Sequence, residues 1–240
     1  MRVAALLTCL LAGCLAEKPH PCESPALLSG LLSVSTQNEK LWTVAKYLYD
    51  ALGQRVRIME LGTYENKSFT YDALLLFREA AMYEIHEHNR TCLKKPLKAD
   101  FQPMAIPKDA TLLGQFVLGS SSGPGEGLLV NSWAGDLPDK SGARAFHGWP
   151  FVWSTSIHEP ISFPVRPGKY VSTVTEFGCV PVTSVSHTEQ FGWVVTSFVN
   201  NIKGITDPSQ LNPPEFCPDA EMKGSEVEPT DFLSLFLSKK

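Results

Sequence analysis

The stretch Leu41-Trp42-Thr43-Val44-Ala45-Lys46-Tyr47-Leu48-Tyr49-Asp50, followed by Ala51-Leu52-Gly53 and then Gln54-Arg55-Val56-Arg57-Ile58-Met59-Glu60-Leu61, decides the fold. Its first ten residues are aromatic and branched, the side chains that suit a pleated, half-buried surface. Arg55 to Ile58 alternate polar and apolar, as a strand with one wet face does. The three residues between make a turn, so the stretch reads as a β-hairpin. Working outward, 69–77 and 81–86 form a second pair joined around Arg78-Glu79-Ala80. Further strands are expected at 111–118, 128–133, 151–156, 170–177, 180–186 and 191–199. Leu, Arg, Glu and Ala make residues 73–81 a helix candidate as well. Short strands spaced by turn signals, with 17 Gly and 18 Pro among 240 residues, predict a mainly β antiparallel sandwich or half-open barrel.

The charge balance, 25 acidic against 21 basic residues, gives a formal −4 and argues against a nucleic-acid partner. At the N-terminus, Arg2 precedes an apolar run from Val3 to Leu15, too short to span a bilayer, with Ala16 as a small residue at a cleavage point. Residues 1–16 thus read as a signal peptide. Leu11-Ala12-Gly13-Cys14 also fits a bacterial lipobox. Losing Arg2 leaves a mature chain of −5. No later stretch reaches about 20 apolar residues. The main β domain is expected over 17–218. An acidic tail follows over 219–240, with a short terminal helix capped by Thr230.

Cys9 and Cys14 leave with the signal peptide, so Cys22, Cys92, Cys179 and Cys217 remain. An even number in a secreted chain, with no CxxC pair, predicts two disulfides, and three connectivities are open. The sequons at Asn66 and Asn89 predict N-glycosylation and favour a eukaryotic secretory route over the lipobox.

Catalysis has no firm foothold. Gly119-Ser120-Ser121-Ser122-Gly123 matches G-x-S-x-G literally, but Pro124, Gly125 and Gly127 would break the helix that a nucleophile elbow requires. Glu84, His86 and His88 alternate and would share one side of a strand, a pattern able to hold a transition metal. A polar strand end facing water explains them equally. The chain is therefore read as a non-enzyme.

Several ordered motifs bring in a family resemblance. Tyr83-Glu84-Ile85 with Asn89 and Cys92, then Met104-Ala105-Ile106-Pro107-Lys108-Asp109-Ala110-Thr111, resemble the ependymin family. So do Gly127-Leu128 with Trp133-Ala134-Gly135, Gly178-Cys179-Val180-Pro181-Val182 and Pro213-Pro214-Glu215-Phe216-Cys217. The ending Asp231-Phe232-Leu233-Ser234-Leu235-Phe236 resembles the ependymins proper more than their lysosomal relatives. His86 departs from the acidic residue expected there, and nothing carries over onto the aromatic stretch 146–164. The resemblance implies a secreted glycoprotein that binds calcium weakly and acts in cell–matrix adhesion. It also implies the disulfides Cys22–Cys179 and Cys92–Cys217, a homodimer and extracellular or lysosomal localisation. The implied fold is similar to bacterial lipoprotein carriers, with two curved antiparallel sheets around an apolar cavity that accepts lipid.

Two functions follow from that resemblance. In one, the acidic tail and glycans make calcium-dependent contacts with matrix components. In the other, the chain carries a lipid in a pocket lined by Trp42, Val44, Leu48, Phe116, Leu118, Trp133, Phe163, Trp193 and Phe198; a solid core would account for the same side chains. Trp193, Val195 and Ser197 should share one strand face and Val194, Thr196 and Phe198 the other, so Trp193 and Phe198 cannot both line it. Small polar residues among the large ones would leave room for an acyl chain. Non-reducing peptide mapping tests the disulfides: Cys22 is expected with Cys179 and Cys92 with Cys217, and a Cys22–Cys92 peptide would contradict the assignment.

Overall fold

The computed structural model describes residues 18–98, 100–136, 169–188 and 191–217. Eleven strands make one antiparallel sheet that does not close into a barrel. They are β1 (Leu27–Thr36), β2 (Leu41–Asp50), β3 (Arg55–Tyr64), β4 (Lys67–Leu76), β5 (Ala81–His86), β6 (Thr91–Pro96), β7 (Thr111–Gly119), β8 (Gly127–Asp136), β9 (Lys169–Thr175), β10 (Pro181–Thr188) and β11 (Gly192–Lys203). Their order is β6-β5-β4-β3-β2-β1-β11-β10-β9-β8-β7. The mainly β, open architecture is as expected. Its strands share a single continuous ladder instead of two separate ones, because β1 pairs with β2 on one side and β11 on the other.

The deciding hairpin is β2–β3, with Leu41 opposite Tyr64 and Asp50 opposite Arg55. Asp50 closes its turn: one carboxylate oxygen accepts the Gly53 N–H at 2.7 Å, and the other accepts Arg55 Nε and Nη2 at 3.0 and 2.6 Å. Residues 73–81 are not a helix. β4 runs to Leu76, a single 3-10 turn spans Phe77–Glu79, and β5 begins at Ala81. Two strands escape the sequence reading. In β1, the paired leucines around Gly30 blur the alternation of Leu28, Leu32 and Val34; in β6, Lys94, Lys95 and Pro96 are poor strand formers. The expected strand at 151–156, the signal peptide and the tail helix lie outside the described residues.

The sheet must bend. Its edges, β6 and β7, are consecutive in the chain and joined by residues 97–110. Ten inter-strand spacings of about 4.8 Å would place flat edges about 48 Å apart. Fourteen fully extended residues reach only about 50 Å. This connector is not extended: it turns where the Ala110 N–H donates to Pro107 O at 3.0 Å, and Ala105 bridges to Glu23. Bending brings the edges closer and wraps one face around the connector. Met104 and Ile106 are buried there, with the Met104 N–H donating to the Tyr49 hydroxyl at 2.9 Å. This core face carries Leu28, Leu32, Val34, Tyr47, Tyr49, Val56, Ile58 and Phe198 in one buried cluster. On the opposite, outer face, residues 205–217 lie over part of β2–β5, burying Leu48, Leu74, Leu76, Tyr83 and Ile85 under Leu211 and Cys217.

The disulfides are Cys22–Cys179 and Cys92–Cys217, with Cα separations of 6.0 and 5.4 Å. The first closes 157 residues of sequence separation, worth about 5 kcal/mol in a loop-entropy account. At the β1–β11 seam the register shifts between Ser29 and Leu31, and Asn200 takes a positive φ of 53°. The bulge turns Asn201 inward, where it accepts from the Tyr47 hydroxyl at 2.5 Å and donates to Pro181 O at 2.8 Å. A Cβ on Gly30 would stand 2.7 Å from Asn201 Oδ1 and 3.2 Å from Val199 O. Gly30→Ala is therefore expected to destabilise by about 1–3 kcal/mol in chemical denaturation, and an unchanged midpoint would mean the seam has slack.

Candidate ligand-binding face

The core face changes character across the sheet. Following the ladder partners one rung at a time gives Trp133, Ser172, Ser184, Thr196, Val34, Thr43, Gly62 and Phe69, one residue from each of β8, β9, β10, β11, β1, β2, β3 and β4. Six small side chains lie between two aromatic ones. From Ser172 to Gly62 the rung spans five spacings, about 24 Å. Trp133, Ser172, Ser184, Thr196, Val34 and Thr43 are all buried. The fold thus sets a strip of small, mostly polar side chains against large apolar neighbours such as Phe198, Leu32 and Tyr47.

Polarity here is costly. The Trp133 indole N–H, the Ser172 hydroxyl and the Ser186 hydroxyl are buried without a hydrogen-bond partner. An unpaired buried donor costs about 1–3 kcal/mol. Trp133 and Ser172 are direct cross-strand partners, and Ser186 lies one rung away on β10. Glu60 adds a carboxyl whose Oε2 lies 3.1 Å from the Thr43 hydroxyl and whose Oε1 is unpaired. Thr43 has one proton to give, and the Leu61 carbonyl competes for it at 2.9 Å. Burial pushes the Glu60 carboxyl up to about 8, with the Thr43 hydroxyl giving partial relief.

The nine expected pocket residues do not line one pocket. Trp133 and Phe198 are buried in the core-face cluster. Trp42, Val44, Leu48 and Trp193 point the other way, since β2 and β11 present alternate residues to opposite faces. Trp42 and Trp193 are 50% and 40% exposed, and Leu48 is buried beneath residues 205–217. Phe116 and Leu118 stand exposed on β7, and Phe163 lies outside the described residues. The expected split of Trp193, Val195 and Ser197 from Val194, Thr196 and Phe198 is what the register gives. The sequence reading missed Ser172, Ser184, Ser186, Thr43 and Glu60. It weighted large apolar side chains, whereas runs such as Val171-Ser172-Thr173-Val174 and Val182-Thr183-Ser184-Val185-Ser186 carried the small-residue signal.

The remaining candidates are dispersed. Glu84 is buried and engages Lys95 Nζ at 3.0 Å and His86 Nε2 at 3.4 Å, while the His86 and His88 rings sit 6.2 Å apart. Among the described residues no three His, Cys, Asp or Glu side chains are grouped to hold a metal ion. The acidic tail expected to bind calcium lies outside the described residues. Gly119-Ser120-Ser121-Ser122-Gly123 enters the β7–β8 hairpin turn, not a strand-to-helix elbow. Asn66 and Asn89 occupy exposed turns after β3 and β5, where a glycan meets no packed neighbour.

The raised Glu60 value has a consequence for stability. In the folded protein this carboxyl holds a proton that the unfolded chain releases above its ordinary value of 4.5. Its burial is therefore tolerated in acid, and stability is lost as pH rises toward 8, by up to about 1.4 kcal/mol per pH unit. Glu60→Gln should remove this dependence, so denaturation at about pH 5 and about pH 8 should show the variant gaining on the wild type at the higher pH. Identical pH profiles would show that Glu60 ionises freely.

The relatives of this chain agree with its architecture. The family model described as Ependymin matches residues 65–167 and 152–217. Ependymin-2 of Carassius auratus is 27% identical over 238 residues, covering 96% of this chain and 97% of that protein. Ependymin-1 of Oncorhynchus mykiss is 27% identical over 237 residues, covering 96% and 94%. Mammalian ependymin-related protein 1 of Mus musculus is 27% identical over 208 residues, covering 85% and 79%. Among solved structures, an uncharacterized conserved protein from Thermus thermophilus covers 93% of this chain and 99% of its own at 9% identity and a TM-score of 0.42, an overlap that carries no argument. With the family model spanning well over half its length, this chain belongs to the ependymin family.

Proposed function

We propose that the protein is a secreted glycoprotein that carries an apolar, lipid-like ligand against the core face of its open sheet. The observation that supports this is the rung of small side chains from Ser172 to Gly62, bounded by Trp133 and Phe69. A core built only for stability fills such positions with branched aliphatic side chains, because each missing methylene forfeits contacts. Here serine and threonine stand there instead, which leaves width for an extended acyl chain. The unpaired Trp133 N–H and Ser172 hydroxyl at one end of the rung give a polar end group, such as an ester or carboxyl oxygen, two donors to meet. An apolar strip with a few convergent polar atoms is the usual composition of a small-molecule site. The signal peptide and the two sequons support secretion and glycosylation.

Organic extraction of protein purified from a eukaryotic secretory host, followed by mass spectrometry, tests the reading. A stoichiometric acyl lipid is expected. Ser184→Leu should fill the strip and lower the retained lipid several-fold, whereas Ser184→Ala should leave it unchanged. Protein that purifies free of lipid and takes up none from vesicles would overturn the proposal.

A further inference from the structure

The two edges of the sheet are built differently. β6 carries Lys94, Lys95 and Pro96, and its Cys92 is bonded to Cys217. Arg90, just before it, stacks over Phe216 at 5.3 Å. Charges, a proline and a cover are the devices that stop an edge strand from recruiting another chain. At the opposite edge, β7 has none of them. Its nine residues, Thr-Leu-Leu-Gly-Gln-Phe-Val-Leu-Gly, include no charge and no proline. Leu113, Phe116, Val117 and Leu118 are 56%, 51%, 42% and 44% exposed, and Leu128 beside them on β8 is 47% exposed. Among the described strands β7 has a single neighbour, β8, so its outer row of backbone N–H and C=O groups is open.

We propose that β7 is the pairing edge for a second copy of this chain, the two β7 strands adding antiparallel across a two-fold axis. In such an isologous contact the residues near the axis meet themselves. A charged edge would then face its own charge, which is destabilising between directly opposed strand positions. β7 is compatible with its own copy because Thr111–Gly119 is uncharged. Pairing satisfies the open backbone groups and covers Phe116 and Leu118 against their counterparts. A lipid surface fits less well: it would cover the side chains but leave the backbone edge without partners. The single charge in the hairpin turn, Glu126, gives no attraction to an anionic membrane. The contact leaves the core face of each copy untouched and stands apart from the ligand reading.

Sedimentation of the full mature glycoprotein tests it. The wild type is expected to be dimeric at micromolar concentration. Phe116→Lys combined with Val117→Lys should raise the dimer dissociation constant at least about tenfold, while Leu61→Lys, an equally exposed site on the outer face, should not. Circular dichroism and thermal melting check that the exposed lysines leave the monomer folded. Single cysteines at Gln115, Phe116 and Val117 supply a positional readout, and at least one should give a disulfide-linked dimer on mild oxidation. A wild type that stays monomeric, an unchanged dissociation constant in the double-lysine variant, or no cross-link at any of the three positions would overturn the proposal. So would monomeric protein floating with phosphatidylcholine vesicles and losing them in the double-lysine variant, which would assign these side chains to a lipid surface.

Discussion

The pairing of β1 with β11 holds the rest of the structure in place. Residues 27–36 meet residues 194–203, so the first described strand is stitched to the last, and the two halves of the sheet become one only at this seam. The seam is reinforced repeatedly. Ser29 Oγ donates to Gly204 O at 3.0 Å, the Gly204 N–H donates to Leu27 O at 2.9 Å, and Ser24 Oγ donates to Cys179 O at 2.9 Å. The Cys22–Cys179 disulfide lies just outside it, ahead of β1 on one chain segment and of β10 on the other. Without this pairing β1 would leave an edge in the middle of the core, and Leu28, Leu32 and Val34 would lose Phe198 and Val194 as neighbours. Contacts of such sequence separation are entropically expensive to form, so the chain cannot close its sheet until most of it is in place.

The same seam sets the energetic character of the interior. Large aromatic and aliphatic side chains crowd β1, β2 and β3, with Tyr47 packed edge-on to Phe198 at 5.8 Å. Beyond β11 the core face passes to serines and threonines on β9 and β10, several with unmet hydrogen bonds. A stability-optimised core would not tolerate this distribution, and sites that break local rules are where function is expected. Glu60 is the extreme case. Its buried carboxyl is best accommodated neutral, which makes the interior better suited to acid than to alkaline surroundings.

The outer face follows a different logic. Residues 205–217 shield only the half over β2–β5, and Arg57 is the clamp. Its guanidinium makes a two-pronged pair with Asp72 at 2.9 and 2.7 Å and donates from Nη1 to Gln210 O at 3.0 Å. Toward β11 and β7 the apolar side chains on the surface have no such cover: Trp42 and Trp193 on the outer face and Phe116 on the edge strand remain exposed. Apolar side chains therefore mark surface as well as interior here, and hydrophobicity alone could not locate a pocket.

The sequence by itself determined the local structure. The β2–β3 hairpin, the strand character of 69–77 despite its helix-forming composition, the alternation of Val194, Thr196 and Phe198, and the four paired cysteines were all legible. Each depends on residues close in sequence or on chemistry intrinsic to the side chain. The family resemblance in turn supplied the disulfide partners. Only the tertiary structure decided which face of each strand is inside, because a period-2 pattern names two faces without saying which one meets the core. That is why Trp42, Val44 and Trp193 seemed interchangeable with Trp133 and Phe198 in one dimension and lie on opposite sides in three. The rung from Trp133 to Phe69 draws one residue from each of eight strands, and no window along the chain contains it. β1 illustrates both halves of the lesson: Gly30 made it look like a poor strand, and the close approach of Asn201 and Tyr47 is the physical reason a glycine has to be there.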